Sequence, residues 1–174
     1  MSGRIEENET LLKQLMRHEG AKRDRAGCHV AYRCPAGALT IGYGHNLDAR
    51  PLAGLGEGAK IDEPRARKIL FEDVRMLGVA LDRALPWWRK AGEARSAVLL
   101  NMAFNMGTAG LLGFRRTLQA VREQRWKDAR DGMLASKWAG QVGRRASELA
   151  EQMLTGQWQG GQPAGGSAEQ RVTR

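Results

Sequence analysis

Glu19 ends a helical run, and a short way on the chain reads Ala38-Leu39-Thr40-Ile41-Gly42-Tyr43-Gly44-His45, a strand rich in small residues and carrying the Thr40 hydroxyl. That order sets a carboxylate at the C-terminal end of a helix, facing a narrow, Gly-lined ribbon. A helix C-terminus is the negative end of the helix dipole, so a carboxylic acid there keeps its proton longer than usual. An acid still protonated near neutral pH can protonate a leaving oxygen, which is the step glycoside hydrolysis requires. Taken alone, a Glu at a helix end is ordinarily a solvated charge. The rest of the chain has to supply the groove.

The elements that would position Glu19 follow from periodicity and punctuation. Leu11, Leu12, Leu15 and Met16 share one helical stripe, with Asn8 or Thr10 as N-cap and Gly20 as the stop. Residues 21–29 are basic and irregular, broken by Gly27. Residues 30–34, the turn Pro35-Ala36-Gly37 and residues 38–45 read as a hairpin, followed by a Gly/Pro-rich loop over 48–60. Asp62 then caps a second helix, with Pro64 in its first turn and a stripe of Ile69, Leu70, Val74, Leu77 and Leu81 that stops before Pro86. Residues 94–106 are apolar nearly all round, which predicts a helix buried on every side. Shorter helices are expected over 111–122, 126–134 and 144–154, and residues 159–174 read as a mobile tail.

Composition bounds the function. The 174 residues fit one domain or two small lobes, and 42% hydrophobic with 27% charged content is ordinary for a protein with a packed core. A formal net charge of +9 favours polyanionic partners: nucleic acid, acidic membranes or an anionic cell wall. Two cysteines, Cys28 and Cys34, do not make a secreted disulfide framework. The first residues are acidic and polar without an apolar stretch, and no segment is long enough to span a bilayer, so a cytosolic site of synthesis is expected. Cys28, His29, Cys34 and His45 lack the paired spacing of a zinc site, and no metal or other cofactor is expected.

Several motifs occur together in a fixed order: His18-Glu19-Gly20, Tyr32-Arg33-Cys34, Gly37, Thr40-Ile41-Gly42-Tyr43-Gly44-His45, Asn101-Met102-Ala103-Phe104-Asn105-Met106-Gly107, Gly113-Phe114, Gln124-Arg125-Trp126, Ser136-Lys137-Trp138, Arg145-Ala146 and Thr155-Gly156-Gln157-Trp158. In order and spacing they resemble the phage-type lysozymes (endolysins), glycoside hydrolase family 24, from about residue 11 to residue 158. The resemblance implies a mainly helical α+β, lysozyme-like, two-lobed fold. It also implies a single catalytic domain over 1–158: a small β-hairpin lobe at about 19–61, a connecting helix at about 62–85, and a helical lobe at about 86–158 joined by the N-terminal helix 8–18.

By the same resemblance the chain would hydrolyse the β-1,4 bond between N-acetylmuramic acid and N-acetylglucosamine in bacterial peptidoglycan, for host cell lysis. Glu19 takes the acid role and Thr40 holds the attacking water. The family's water-activating Asp is replaced by Cys34, as in relatives with a Glu/Cys/Thr trio. If the turn is Pro35-Ala36-Gly37, Tyr32 pairs with Thr40, and parity puts Cys34 and Thr40 on one face of the ribbon. Phe104, Asn105, Thr117 and Trp138 correspond to residues that line or support the sugar site. His45 with Asp73 corresponds to a structural pair, and Arg145 to the arginine that approaches the acid and would oppose the helix dipole there. The stretch between Glu19 and Tyr32 is longer than the family's and carries Cys28 and His29. The protein is expected to be a monomer held in the host cytoplasm until a separate holin releases it to the periplasmic wall. The rival readings are a lytic transglycosylase, a non-catalytic wall-binding module and a basic helical nucleic-acid-binding protein. No helix-turn-helix pattern favours the last of these, and no specific nucleic acid is expected.

Overall fold

The computed structural model describes residues 4–160. A 3-10 turn over Ile5–Glu7 leads into helix α1, Glu9–Glu19. Asn8 caps α1, its side chain accepting from the N–H groups of Thr10 and Leu11, and Gly20 ends it with φ 63°. Leu11 and Leu15 are fully buried, so the stripe that makes the helix amphipathic is also what docks it.

A small β region follows: β1 (His29–Val30), β2 (Tyr32–Arg33), β3 (Leu39–Ile41), β4 (His45–Asn46) and β5 (Lys60–Ile61). β2, β3 and β4 form one antiparallel sheet, and β1 pairs with β5. Tyr32 opposes Thr40 and Arg33 opposes Leu39. The Cys34 N–H donates to Ala38 O at 2.9 Å and the Gly37 N–H to Cys34 O at 2.8 Å, closing the turn over Pro35-Ala36-Gly37. The strand expected over 38–45 is in fact two. Gly42 (φ 63°) and Gly44 (φ 87°) take up backbone that L side chains rarely adopt, and the chain doubles back so that Ile41 opposes His45.

The long stretch after Glu19 is tied down by polar contacts. Asp24 Oδ1 accepts from the N–H groups of Ala26 and Cys28. His29 Nε2, Tyr43 Oη and Arg23 Nη2 converge on Glu63 at 2.7, 2.6 and 2.7 Å. Burial alone would raise the Glu63 carboxyl, but the bonds from His29, Tyr43 and Arg23 outweigh it and hold the group down to about 2. His29, which a sequence reader sees only as a stray histidine, is fully buried as part of this fastening.

Helix α2 (Glu63–Ala84) follows the β region, capped by Asp62 with Pro64 in its first turn. A 3-10 turn over Trp88–Ala91 precedes α3 (Glu93–Leu112), and α4 (Arg115–Arg122), α5 (Trp126–Leu134), α6 (Lys137–Val142) and α7 (Arg144–Thr155) complete the helical lobe. α3 is interrupted at Gly107 (φ 79°) and runs beyond the expected end, while α4 begins four residues later than the apolar pattern predicts. α6 is an element the periodicity does not show; it is a six-residue helix capped by Ser136, whose hydroxyl accepts from the Ala139 N–H. Residues 97 to 103 of α3 are buried without a break, and α5 packs on α4 and α7 around them. The result is a mainly helical α+β, lysozyme-like fold of two lobes. No single described helix is long and apolar enough to cross a membrane. Of the expected tail, Gln159 O and Gly160 O accept from Gln14 and Arg17 of α1, and 161–174 lie outside the described residues.

Candidate active site

Glu19 sits where α1 ends, its side chain 18% exposed, and its two carboxylate oxygens have different surroundings. Oε1 accepts from Arg145 Nη1 at 2.7 Å. Oε2 lies against Gly44, where a Cβ would stand 3.1 Å from it and 3.7 Å from the Phe104 ring. A side chain at position 44 would therefore crowd the free carboxylate oxygen. One oxygen is anchored to the helical lobe; the other faces the ribbon.

The anchor is itself built into the core. Arg145 is 8% exposed, with Nε donating to Asn101 Oδ1 at 3.0 Å. Asn101 Nδ2 donates to Gln14 Oε1, Gln14 Nε2 donates to Gln152 Oε1, and Gln152 Nε2 ends on Ala94 O. A buried polar chain thus runs through α1, α3 and α7 to the carboxylate, with every member partnered, which is the condition for such a network to stabilise. His18, next to Glu19, lies 3.2 Å from Glu148 and 3.2 Å from Asn101. Asn101, Gln14 and Gln152 have no partner that the sequence alone identifies. The available signal was a polar residue inside an otherwise apolar stripe.

On the ribbon, Cys34 and Thr40 are in mutual reach. Burial works against ionising the Cys34 thiol, but the N–H groups of Ala36, Ala38 and Gly37 and the Thr40 hydroxyl outweigh it, and the thiol lies below its ordinary value. The Thr40 hydroxyl is 3.1 Å from Ala38 O and buried. Alkylation of Cys34 by iodoacetamide, followed by peptide mass spectrometry against pH, is expected to show a midpoint below the free-thiol value of about 8.5. A midpoint at or above that value would show that these donors do not reach the sulfur.

His45 is buried beside Gly44, with Nδ1 2.8 Å from Asp73 Oδ2 and Nε2 2.8 Å from Arg50 O. Arg50 Nη1 meets the other Asp73 oxygen at 2.6 Å. Both ring nitrogens face acceptors, so only the imidazolium satisfies both. Burial lowers the His45 value, yet the Asp73 and Arg50 hydrogen bonds outweigh it and the net shift is upward. A raised folded value means stabilisation that is complete below the unfolded value of about 6.5 and is lost as pH rises through the folded value. Urea unfolding of wild type and His45→Asn should therefore diverge most near pH 6 and converge on the alkaline side. A difference that grows with pH would contradict this account.

The remaining candidates fall into two groups. Trp138 Nε1 donates to Asn105 Oδ1 at 2.8 Å, its ring meets Phe114 edge-on at 6.1 Å, and Phe104 lies by Gly44. Thr117 lies apart from Glu19 and Gly44, in another wall. It is buried against α5, its hydroxyl 2.5 Å from where a Cβ on Gly132 would be, and it lines a separate cavity of about 560 Å³ with Phe114 and Ser136. Cys28 and Cys34 are both free thiols. Among the described residues no three His, Cys, Asp or Glu side chains converge as metal ligands would.

Residues 16–153 match the family model described as phage lysozyme. The chain is also 27% identical over 168 residues to the pre-baseplate central spike protein Gp5 of Enterobacteria phage T4, covering 86% of this chain and 28% of that protein. It is 28% identical over 69 residues to probable T4-type lysozyme 1 of Dictyostelium discoideum, covering 40% of this chain and 41% of the other. The matched stretches thus cover less than half the length of either relative.

Proposed function

The chain belongs to the phage lysozyme family, and from that premise we propose that it hydrolyses the β-1,4 bond between N-acetylmuramic acid and N-acetylglucosamine in bacterial peptidoglycan, in the service of host lysis. The observation that carries this reading is the asymmetry of Glu19: Oε1 held by Arg145, Oε2 open toward Gly44 and Phe104. A proton on Oε2 passes to the glycosidic oxygen as its bond to the anomeric carbon breaks. Water held by the Thr40 hydroxyl attacks that carbon from the opposite face and gives its proton to the Cys34 thiolate, with inversion at the sugar. The Ala36, Gly37 and Ala38 N–H groups favour the thiolate, the form of the sulfur that can accept a proton, which supports this division of labour.

The test is mass spectrometry of purified peptidoglycan after digestion by wild type and by Cys34→Ser. Hydrolysis adds one water per bond cut and leaves reducing N-acetylmuramic ends, and the serine variant, lacking an ionisable group there, should release them more slowly by about tenfold or more. Anhydro-sugar ends would instead make the protein a lytic transglycosylase, and an uncut wall would leave a binding module. Action as a monomer on the periplasmic wall, after passage through a membrane opened by a separate holin, belongs to the same proposal. Lysis by the protein expressed alone would remove the holin from it.

A further inference from the structure

A second groove adjoins the proposed sugar site. One cavity of about 510 Å³ starts at Gly44 and Phe104 and is floored by Leu77 and Ala80 of α2. Another of about 430 Å³ lies beyond it, lined by Arg4, Glu72, Arg75 and Val79. Arg50 and Met76 belong to both walls. Helical geometry explains the join. Asp73, Leu77 and Ala80 share one stripe of α2, Glu72, Arg75 and Val79 an adjacent one, and Met76 is the ridge between. A ligand leaving the first cavity crosses Met76 and meets the second.

The second cavity has the character of a binding surface. Met76 and Val79 are 54% and 46% exposed, two of the four large apolar side chains most open to water among the described residues. Around them are three guanidinium groups. Arg50 is bound to Asp73 through one nitrogen, Arg75 lies over the Phe71 ring, and neither Arg75 nor Arg4 forms an ion pair with a carboxylate among the described residues, although Arg4 is near enough to Asp82 to favour its ionised form. Glu6, also in this wall, does not neutralise them, because it is buried and takes two bonds from Arg89. Exposed methyl-bearing side chains under unpaired cations fit a chain that alternates small apolar groups with carboxylates.

We propose that this groove holds the acidic peptide branch of the wall polymer, its methyl groups on Met76 and Val79 and its carboxylates against Arg50, Arg75 and Arg4. The inference rests on the peptidoglycan reading, since the groove opens at Gly44 and Phe104, where the glycan would lie. Gly44 lies against Glu19 and belongs to the first cavity's wall, which gives a branch leaving a sugar there a way in. Glu72 opposes the incoming charge.

Two measurements test the site. The first is titration of the full chain with a synthetic tripeptide of alanine, γ-linked D-glutamate and a diamino diacid. The second is the rate of cutting of peptide-bearing wall against glycan strands stripped of peptide. Arg4→Gln with Arg75→Gln should weaken tripeptide binding and raise KM on peptide-bearing wall by about three- to tenfold. The same pair should leave kcat, and all constants on stripped glycan, unchanged. Glu72→Gln should tighten tripeptide binding, and Arg115→Gln with Arg116→Gln, removing equal charge elsewhere, should leave it unchanged. Equal losses on both substrates, no loss on either, or equal weakening by the two double variants would overturn the proposal. So would loss of binding to phosphatidylglycerol vesicles alone, which would make the groove a membrane contact. If wild type cuts neither substrate yet binds the tripeptide through Arg4 and Arg75, the groove stands and the hydrolytic reading falls.

Discussion

Glu19→Gln is expected to lower release of soluble fragments from purified peptidoglycan by about a thousandfold, the scale of removing a positioned general acid. The amide keeps the shape of the side chain, and its oxygen can still accept from Arg145 Nη1, so the 2.7 Å contact that anchors the group survives. What it loses is the ability to give a proton from the oxygen that faces Gly44. The circular dichroism spectrum and unfolding midpoint should stay close to wild type, because the buried arginine keeps a hydrogen-bond partner. Wall cleavage at the wild-type rate by a folded Glu19→Gln protein would remove Glu19 from the acid role, whatever the family relationship.

The largest effect on stability is expected from Arg145→Met. The guanidinium supplies hydrogen bonds to Asn101 Oδ1 and Glu19 Oε1, and methionine fills comparable space while donating to neither. Asn101 is fully buried, so its oxygen would have no water to turn to. Glu19 keeps some solvent access, which moderates the loss. The cost should be about 2–4 kcal/mol in urea unfolding, below the upper range for a broken buried ion pair. The double variant with Glu19→Gln discriminates the cause. Removing the carboxylate's charge should recover about 1 kcal/mol of the loss, a coupling that strict additivity would not show. If Arg145→Met is neutral, the polar chain through Asn101 and Gln14 does not hold the site.

Both predictions depend on contacts between residues distant in the chain: Arg145 reaches Glu19 across 126 positions, and Asn101 reaches Gln14 across 87. Local signals say nothing about such pairs. A polar residue in an apolar stripe announces that a partner must exist, because an unpaired buried amide is costly, but not which one. The stretch after Glu19 was opaque for a related reason. Its irregular, charged residues carry no period, and its path is set by side-chain bonds to Glu63, Asp24 and Lys60 and by pairing with β5. The break at Gly42 and Gly44 is hidden in the sequence because glycine in a strand and glycine in a turn look alike until the pairing partner is known.

By itself the sequence determined the elements whose rules are local: α1 between the Asn8 cap and Gly20, α2 from Asp62 and Pro64, the buried middle of α3, and the register of the hairpin across Pro35-Ala36-Gly37. Capping, periodicity and turn length act over a few residues, so composition and spacing suffice. The tertiary structure alone decided which oxygen of Glu19 is free, what anchors the other, and how the surface beside α2 becomes a groove with unpaired arginines. Those features exist only when separate elements meet, because a side chain's charge state, access and partners belong to the space it shares and not to its neighbours along the chain.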